Sequence, residues 1–183
     1  MNYRIKMILT LLVVGAFSGG SLSFVYRKTL PRIEKNLKKE IEDSLLLLLP
    51  ATSYEERSFQ GERVFICKDE DGGTRGYAII GEGDGFQGKI SLLIALDRKA
   101  EEILGIDILE SQETPGLGAK IDEDFFKGEF KKKKAEKLNV VKGKAEKEND
   151  IEAITGATIS SRAVVNIVNK YVEILKEFVR KKK

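Results

Sequence analysis

Hydrophobic residues follow three different patterns in successive parts of this chain, and the first is an uninterrupted apolar stretch. No charged residue occurs from Met7 to Tyr26, and about 20 residues at about 1.5 Å each match a hydrocarbon core about 30 Å thick. The stretch continues through Phe24 and Val25 with no A-x-A site after it, which argues against a cleaved signal peptide. This pattern predicts an uncleaved transmembrane anchor in residues 1–28.

The second pattern is a four-residue repeat, which predicts a juxtamembrane amphipathic helix in residues 29–50. Pro31 suits the first turn of a helix and Pro50 suits its end. Apolar residues recur between them at helical spacing, at Ile33, Leu37, Ile41 and Leu45. The run from Leu45 to Leu49 is too short to cross a membrane. We therefore expect it to pack against the globular domain or against a membrane partner.

The third pattern, in residues 51–183, is a series of short β-branched runs followed by a long amphipathic segment. The runs "RVFIC", "RGYAIIG", "KISLLIALD" and "EEILGIDILES" predict strands, and "DRKAEE" predicts a hairpin turn between the last two. A short helix in "IDEDFFKGEFKKK" and a short strand in "KLNVVKG" follow. Residues from Ser160 to Arg180 have helical spacing, with Ser160 or Ser161 as the N-cap. Because the pattern lacks βαβ repetition, we predict an α+β fold: a single domain of antiparallel strands with flanking helices.

Composition narrows the chemistry that this domain can perform. The chain has 32 Lys and Arg residues against 29 Asp and Glu residues, and its net charge of +3 gives no reason to expect a nucleic-acid partner. It contains no histidine, which excludes Ser-His-Asp and Cys-His catalysis and most zinc sites. Its single cysteine, Cys67, lies in an apolar run and is interpreted as a core residue. Any redox chemistry must therefore come from an organic cofactor.

A hydroxyl group precedes the last predicted helix, in the segment "ITGATISS". Thr158 lies where free backbone N–H groups and the helix dipole favour an anion. Gly156 and Ala157 lack bulk, so the backbone can approach a large ligand, and Thr155 and Ser160 add further hydroxyls. The segment is typical of a phosphate site, although an ordinary N-cap after a tight turn would give the same spacing.

A second loop, "ETPGLG", directly follows the last long predicted strand. Pro115 and Gly116 indicate a turn, and Gly118 leaves the next backbone open. Glu113, Thr114 and Leu117 then offer an acid, a hydroxyl and an apolar side chain, which we expect on an exposed loop. A plain connection between a strand and a helix is the alternative interpretation.

Together the two loops resemble those of the FMN-binding subunits of Rnf complexes and of Na⁺-translocating NADH:quinone complexes, called RnfG and NqrC. The segments "GEGDGFQGKISLLIALD", "SQETPGLGAKI" and "ITGATISS" are similar to the landmarks of that family and occur in its order. The resemblance covers the chain from about Gly76 to the final helix, and the short length is closer to RnfG.

The resemblance implies an FMN cofactor joined through its phosphate to the last threonine of a Ser/Thr-Gly-Ala-Thr motif, here Thr158. The acceptor pattern of the family usually has Asp at the place of Glu152. The loop from Glu113 to Gly118 is then expected to face the flavin ring and to influence its redox potential. The other cofactor-binding residues implied are Glu113, Thr114, Gly116, Leu117, Gly118, Thr155, Gly156, Ala157 and Ser160.

The resemblance also implies a role as a membrane-anchored electron relay in an Rnf-type ferredoxin:NAD oxidoreductase coupled to ion translocation, rather than a complete enzyme. Expected partners are the other membrane subunits, a flavin transferase for maturation, and membrane lipid. We expect a single-pass inner-membrane protein with an extracytoplasmic globular domain, as in the family. The Arg and Lys residues that flank the span narrowly favour an outside N-terminus, but the difference is too small to decide the orientation. The alternatives are a stand-alone extracytoplasmic flavoprotein serving another reductase, and a flavin-free structural module of a membrane complex.

Overall fold

A computed structural model describes residues 3–182, and the first element is one long helix. Helix α1 runs from Tyr3 to Leu48 and continues through Pro31. An 18-residue window of α1 has a mean hydropathy of 2.0 with none of its residues buried, so by length and composition it can cross a membrane. The contacts divide the chain into the compact units Met1–Glu40 and Ile41–Lys183. The boundaries 1–28, 29–50 and 51–183 remain predictions about the roles of the segments.

The second unit is built on a six-stranded antiparallel sheet in which the strands lie side by side in chain order. This arrangement confirms the α+β prediction and the predicted hairpin between the fourth and fifth strands. The strands are β1 (Ser53–Phe59), β2 (Glu62–Lys68), β3 (Thr74–Asp84), β4 (Lys89–Asp97), β5 (Glu102–Ser111) and β6 (Lys133–Lys134).

Both faces of the sheet are buried, each against a different helix. Successive strand residues point to opposite faces. Helix α3 (Thr158–Lys182) packs on one face, and its apolar residues form a core with strand residues such as Val64 and Leu92. The end of α1 and the residue that follows it pack on the other face, where Ile41, Leu45 and Leu49 meet strand residues such as Phe65 and Leu93. The expected packing of the leucine run against the domain is therefore confirmed for Leu45 and Leu49.

Cys67 lies in the second of these cores, which confirms its interpretation as a core residue. Its side chain is buried in β2 beside the apolar end of α1. Burial raises the pKa of this thiol to about 11, because the thiolate would be charged in an apolar environment. At neutral pH Cys67 therefore stays protonated, and its reactivity is low.

The remaining elements are short and connect β5 to α3. A 3₁₀ helix (Gly118–Asp122) and α2 (Asp124–Gly128) precede β6. Two short strands, β7 (Asn139–Val141) and β8 (Asp150–Glu152), then pair in parallel as a separate sheet.

Helix α3 begins two residues earlier than the sequence predicted. Its first residue is Thr158, and the Ser161 N–H donates to the Ala157 carbonyl oxygen at 3.0 Å. Ser160 and Ser161 lie inside the first turn and are buried, so the prediction that one of them is the N-cap is wrong. Their hydroxyls have other partners: Ser160 donates to the Glu113 carboxylate, and Ser161 donates to the Ala157 carbonyl oxygen.

Strand register brings two connections to the same end of the sheet. Asp84 pairs with Lys89 across the β3–β4 turn, and Ile90 pairs with Ser111 at the end of β5. The turn formed by residues 85–88 therefore lies beside the loop that follows Ser111. Both reach the beginning of α3, which packs across β3 and β4.

The contribution of the end of α1 to the domain can be measured with two neighbouring leucines. Leu49 is 1% exposed and Leu47 is 69% exposed. Leu49→Ala should lower the free energy of unfolding of the second unit by about 2–5 kcal/mol, because it removes buried methyl groups and leaves a cavity. Leu47→Ala is the matched control and should change it by less than about 0.5 kcal/mol. Urea titration of the full chain in detergent checks both, and equal effects would contradict the packing of Leu49.

Candidate functional site

A pocket of about 270 Å³ opens where three segments meet: the β3–β4 turn, the loop after β5 and the beginning of α3. Its walls are formed by apolar side chains, hydroxyl groups and the backbone of glycine residues. Its lining residues are Phe86, Glu113, Thr114, Leu117, Gly118, Gly156, Ala157, Thr158, Ile159 and Ser160.

The backbone before α3 forms a tight turn that the buried Ser161 holds in place. Gly156 has a φ of 83°, which a residue with a side chain adopts only with strain, and the Ala157 N–H donates to the Ile154 carbonyl oxygen at 2.9 Å. The Ser161 hydroxyl accepts the Ile154 N–H at 3.0 Å and donates to the Ala157 carbonyl oxygen at 3.0 Å. Thr158 follows this braced turn directly, half-buried at the mouth of the helix.

The loop after β5 is shaped by a second tight turn. The Leu117 N–H donates to the Thr114 carbonyl oxygen at 3.2 Å, and Gly116 has a φ of 76°, which with Pro115 before it matches a type II turn. A Cβ placed on Gly156 would lie 3.5 Å from Leu117 Cδ2, so the two loops approach each other closely. The Thr114 hydroxyl donates to the side-chain oxygen of Gln87 at 2.5 Å and so joins the loop to the β3–β4 turn.

The Glu113 carboxylate lies between all three segments. Its Oε1 accepts the Phe86 N–H at 2.6 Å and the Gln87 N–H at 3.1 Å. Its Oε2 accepts the Ser160 hydroxyl at 2.6 Å. The loop is exposed at residues 115–117, as expected, but Glu113 itself is only 6% exposed. A carboxylate turns inward here because backbone amides and a hydroxyl replace its water.

The surroundings of Glu113 keep it charged. Burial alone would raise its pKa, but the hydrogen bonds from Ser160 and from the backbone of the β3–β4 turn outweigh burial, and the pKa lies below its ordinary value. A negative charge is therefore held at the inner wall of the pocket at neutral pH.

Large apolar side chains form the outer walls. Phe86 is 65% exposed, Leu117 is 52% exposed and Ile159 is 55% exposed, and each comes from a different segment. The Thr158 hydroxyl and the first three N–H groups of α3, which have no carbonyl partner within the helix, supply the polar part. Such a site suits a flat apolar ring system that carries a phosphate.

Most of the residues that the sequence predicted line this pocket. The structure brings together Glu113, Thr114, Leu117, Gly118, Gly156, Ala157, Thr158 and Ser160. Gly116 shapes its turn without lining the pocket, and Thr155 lines a different depression together with Phe125 and Glu152. The sequence reasoning missed Phe86 and Ile159. A large apolar residue among the glycines of "GDGFQG" was the available signal for Phe86.

The class of protein follows from a match to a known domain family. A family model described as an FMN-binding domain matches residues 85–173, which include every residue that lines the pocket. With the fold and the pocket, this match places the chain among proteins that contain an FMN-binding domain.

Two relatives then identify the family. The G subunit of the proton-translocating ferredoxin:NAD⁺ oxidoreductase complex of Clostridium ljungdahlii is 34% identical over 88% of this chain and 85% of that protein. The G subunit of the ion-translocating oxidoreductase complex of Methanosarcina acetivorans is 30% identical over 92% of each. This chain belongs to the RnfG family, the G subunits of ion-translocating oxidoreductase complexes.

Solved structures show the same fold. NqrC of Shewanella oneidensis superposes with a TM-score of 0.57 at 21% identity, over 66% of this chain and 61% of that chain. The corresponding NqrC protein of the Na⁺-translocating NADH-quinone reductase of Parabacteroides distasonis superposes with a TM-score of 0.52 at 32% identity, over 62% of each. This chain therefore spans about three fifths of the length of these solved chains.

The charge on Glu113 predicts a specific dependence of stability on pH. Because its pKa is lower in the folded state, the charged form stabilises the fold above the ordinary value of 4.5, and this contribution is lost as the pH falls through the folded pKa. The difference in unfolding free energy between the wild type and Glu113→Gln should therefore stay constant from neutral pH down to about 5 and shrink as the pH falls below the ordinary value of 4.5. Urea titration across this range measures it.

The control is Glu146→Gln, which changes an exposed carboxylate outside the pocket. Its difference from the wild type over the same pH range gives the baseline for a lost surface carboxylate. If the Glu113→Gln difference follows this baseline below pH 4.5 as well, folding does not stabilise the charged form of Glu113, and the prediction is wrong.

Proposed function

We propose that this chain carries FMN as a phosphoester of Thr158 and serves as an electron relay in an ion-translocating ferredoxin:NAD oxidoreductase complex. The observation that carries the proposal is the position of Thr158. Its hydroxyl lies at the mouth of α3, inside a pocket with apolar walls, within the part of the chain that matches the FMN-binding domain. The other two hydroxyls among the lining residues are engaged elsewhere: Thr114 donates to Gln87, and Ser160 donates to Glu113.

The pocket residues fit FMN in their chemistry, and the pocket is large enough to hold part of it. The amides of the first turn and the positive end of the helix dipole favour the charge that remains on the phosphate. Gly156 and Ala157 leave room for the phosphate beside the backbone. A volume of about 270 Å³ is slightly below the roughly 300–1,000 Å³ of pockets that enclose small molecules, so part of a flavin would remain exposed. FMN, when bound, supplies the redox chemistry that the side chains of this protein lack.

Attachment requires an activated flavin nucleotide. The Thr158 oxygen would form a new bond to the FMN phosphorus of a flavin dinucleotide, and the pyrophosphate bond on the other side of that phosphorus would break. A nucleoside monophosphate leaves, and the hydroxyl proton passes to a base of the flavin transferase. The product gains one FMN less one water. A bond through the phosphate lies far from the ring, so its benefit is retention of the cofactor.

The family supports the membrane setting. The relatives are named as G subunits of ion-translocating complexes, which supports other membrane subunits of such a complex as partners of this chain. The apolar part of α1 would anchor it as a single-pass protein, in contact with lipid. The globular unit would lie on the extracytoplasmic side, where free FMN is scarce and a covalent bond keeps the relay loaded.

Two alternative functions would give different experimental results. A stand-alone extracytoplasmic flavoprotein would carry the same covalent FMN but would not co-purify with other subunits of an Rnf-type complex. A flavin-free structural module would co-purify with them but would show no flavin absorbance after denaturation.

Thr158→Ala should abolish covalent flavin and leave the fold intact. The substitution removes one half-buried hydroxyl and one methyl group at the helix mouth. The wild type, co-expressed with a flavin transferase, should gain one FMN less one water on the peptide that contains Thr158. Intact mass measurement followed by peptide mapping checks both forms.

The matched control is Thr155→Ala, because Thr155 is the nearest threonine in sequence and lies outside the pocket. It should retain the flavin. Flavin on another residue of the wild type, or none in the presence of an active transferase, would overturn the assignment of Thr158.

The globular unit should be labelled from outside the cell. Glu70→Cys places a thiol on the exposed turn between β2 and β3, and the native Cys67 is buried, so the background is low. A membrane-impermeant maleimide should label Glu70→Cys in intact spheroplasts, and it should label Tyr3→Cys only after lysis. The reverse pattern would contradict an extracytoplasmic domain.

A further inference from the structure

We propose that Glu113 is a positioning residue whose carboxylate fixes the first turn of α3 against the β3–β4 turn and thereby sets the orientation of Thr158 for flavin attachment. The inference rests on the proposed function of Thr158. It concerns a different property, the geometry in which the acceptor hydroxyl is presented.

The two carboxylate oxygens of Glu113 are divided between two segments. Oε1 accepts the backbone N–H groups of Phe86 and Gln87, and Oε2 accepts the Ser160 hydroxyl at 2.6 Å. Glu113 therefore bridges two segments that are more than 70 residues apart in sequence. Ser160 lies two residues after Thr158 in the same helical turn, so a displacement of one moves the other.

Glycines lie against the carboxylate on two sides, and the carboxylate fills the space that their missing side chains leave. A Cβ on Gly85 would collide with Oε1, and a Cβ on Gly118 would collide with Oε2 and would lie 2.9 Å from the Ser160 hydroxyl. The carboxylate thus occupies the volume that side chains would otherwise fill. Close packing on both sides leaves it little freedom to move.

The occupied oxygens argue against a direct ligand role. Glu113 is 6% exposed, and both oxygens already accept hydrogen bonds from the protein. A buried carboxylate whose two oxygens already accept hydrogen bonds contributes to the site through the groups that it holds. Those groups are the Phe86 and Gln87 amides, which keep Phe86 in the pocket wall, and the Ser160 hydroxyl, which connects the start of α3 to the carboxylate.

The conservative substitution separates geometry from charge. In Glu113→Gln the amide oxygen can still accept the Phe86 and Gln87 N–H groups, and the amide nitrogen can donate to the Ser160 oxygen. The bridge is then retained without charge. Glu113→Ala removes the bridge, and Ser160→Ala removes only its connection to α3.

The test measures the initial rate of FMN attachment to the full chain in detergent. The chain is prepared without flavin and is then mixed with a flavin transferase and flavin adenine dinucleotide. Because a misplacement of about 1 Å can cost about 100-fold in rate, Glu113→Ala should slow attachment by at least about 10-fold. Glu113→Gln should stay within about 3-fold of the wild type, since the geometry is restored. Ser160→Ala should also slow attachment. The double variant of Glu113→Ala with Ser160→Ala should be little slower than Glu113→Ala alone, because both substitutions break the same bridge.

A control variant accounts for stability alone. The Asn169 side chain forms two hydrogen bonds with the backbone of Leu138, about three helical turns from Thr158. Asn169→Ala should destabilise the domain without slowing attachment at a temperature where all variants are folded. Amide hydrogen exchange of the flavin-free chains gives a second measurement. Glu113→Ala, unlike Glu113→Gln, should speed exchange in residues 85–88 and 157–161.

The outcomes are distinct. Attachment to Glu113→Ala at the wild-type rate, or a Glu113→Gln variant as slow as Glu113→Ala, overturns the positioning role and leaves the proposed function standing. Equal slowing by Asn169→Ala overturns it as well, because stability alone would then explain the effect. If Glu113→Ala does not fold, Ser160→Ala decides, and an unchanged rate overturns the proposal. A wild type that accepts no FMN overturns the proposed function together with this inference.

Discussion

The requirement that a buried carboxylate be hydrogen-bonded organises the functional end of this domain. Glu113 has almost no contact with water, so its charge persists only because the β3–β4 turn and Ser160 donate to it. The same requirement places glycine on both sides, since any Cβ at Gly85 or Gly118 would enter the space of the carboxylate. Three segments distant in sequence are thereby held around one pocket, and the position of Thr158 follows from that assembly.

The sheet provides the fixed frame for this assembly. Its antiparallel register brings the β3–β4 turn and the end of β5 to one end, and α3 covers one face. The end of α1 covers the other face, and Ile41 and Leu45 in the helix and Leu49 directly after it belong to that core. A segment that could be taken for a simple spacer therefore contributes to the folded domain. The pocket lies beyond the strand ends, where the turns are free to vary around a stable core.

Elements with strong periodicity were predictable from the sequence. The strands β2 to β5 and helix α3 follow from β-branched runs and helical spacing, and the two glycine-rich loops indicated most of the pocket. Strand β1 was missed because its residues are mostly polar and exposed, and its place is set by pairing with β2. The start of α3 was misplaced because Ser160 and Ser161 have the composition of N-caps, although their hydroxyls bind Glu113 and the backbone near Ala157.

The sequence alone determined the apolar anchor segment, the α+β class and the chemistry of the loops, because these depend on local composition and on residues close together in the chain. Only the tertiary structure decided which way Glu113 faces, that Phe86 and Ile159 complete the pocket, and that Thr155 lies outside it. The physical reason is that burial and hydrogen-bond partners depend on segments that meet only after the sheet has formed. A glutamate in a polar loop has the same local pattern whether it faces water or the amides of a distant turn, and the fold selects between them.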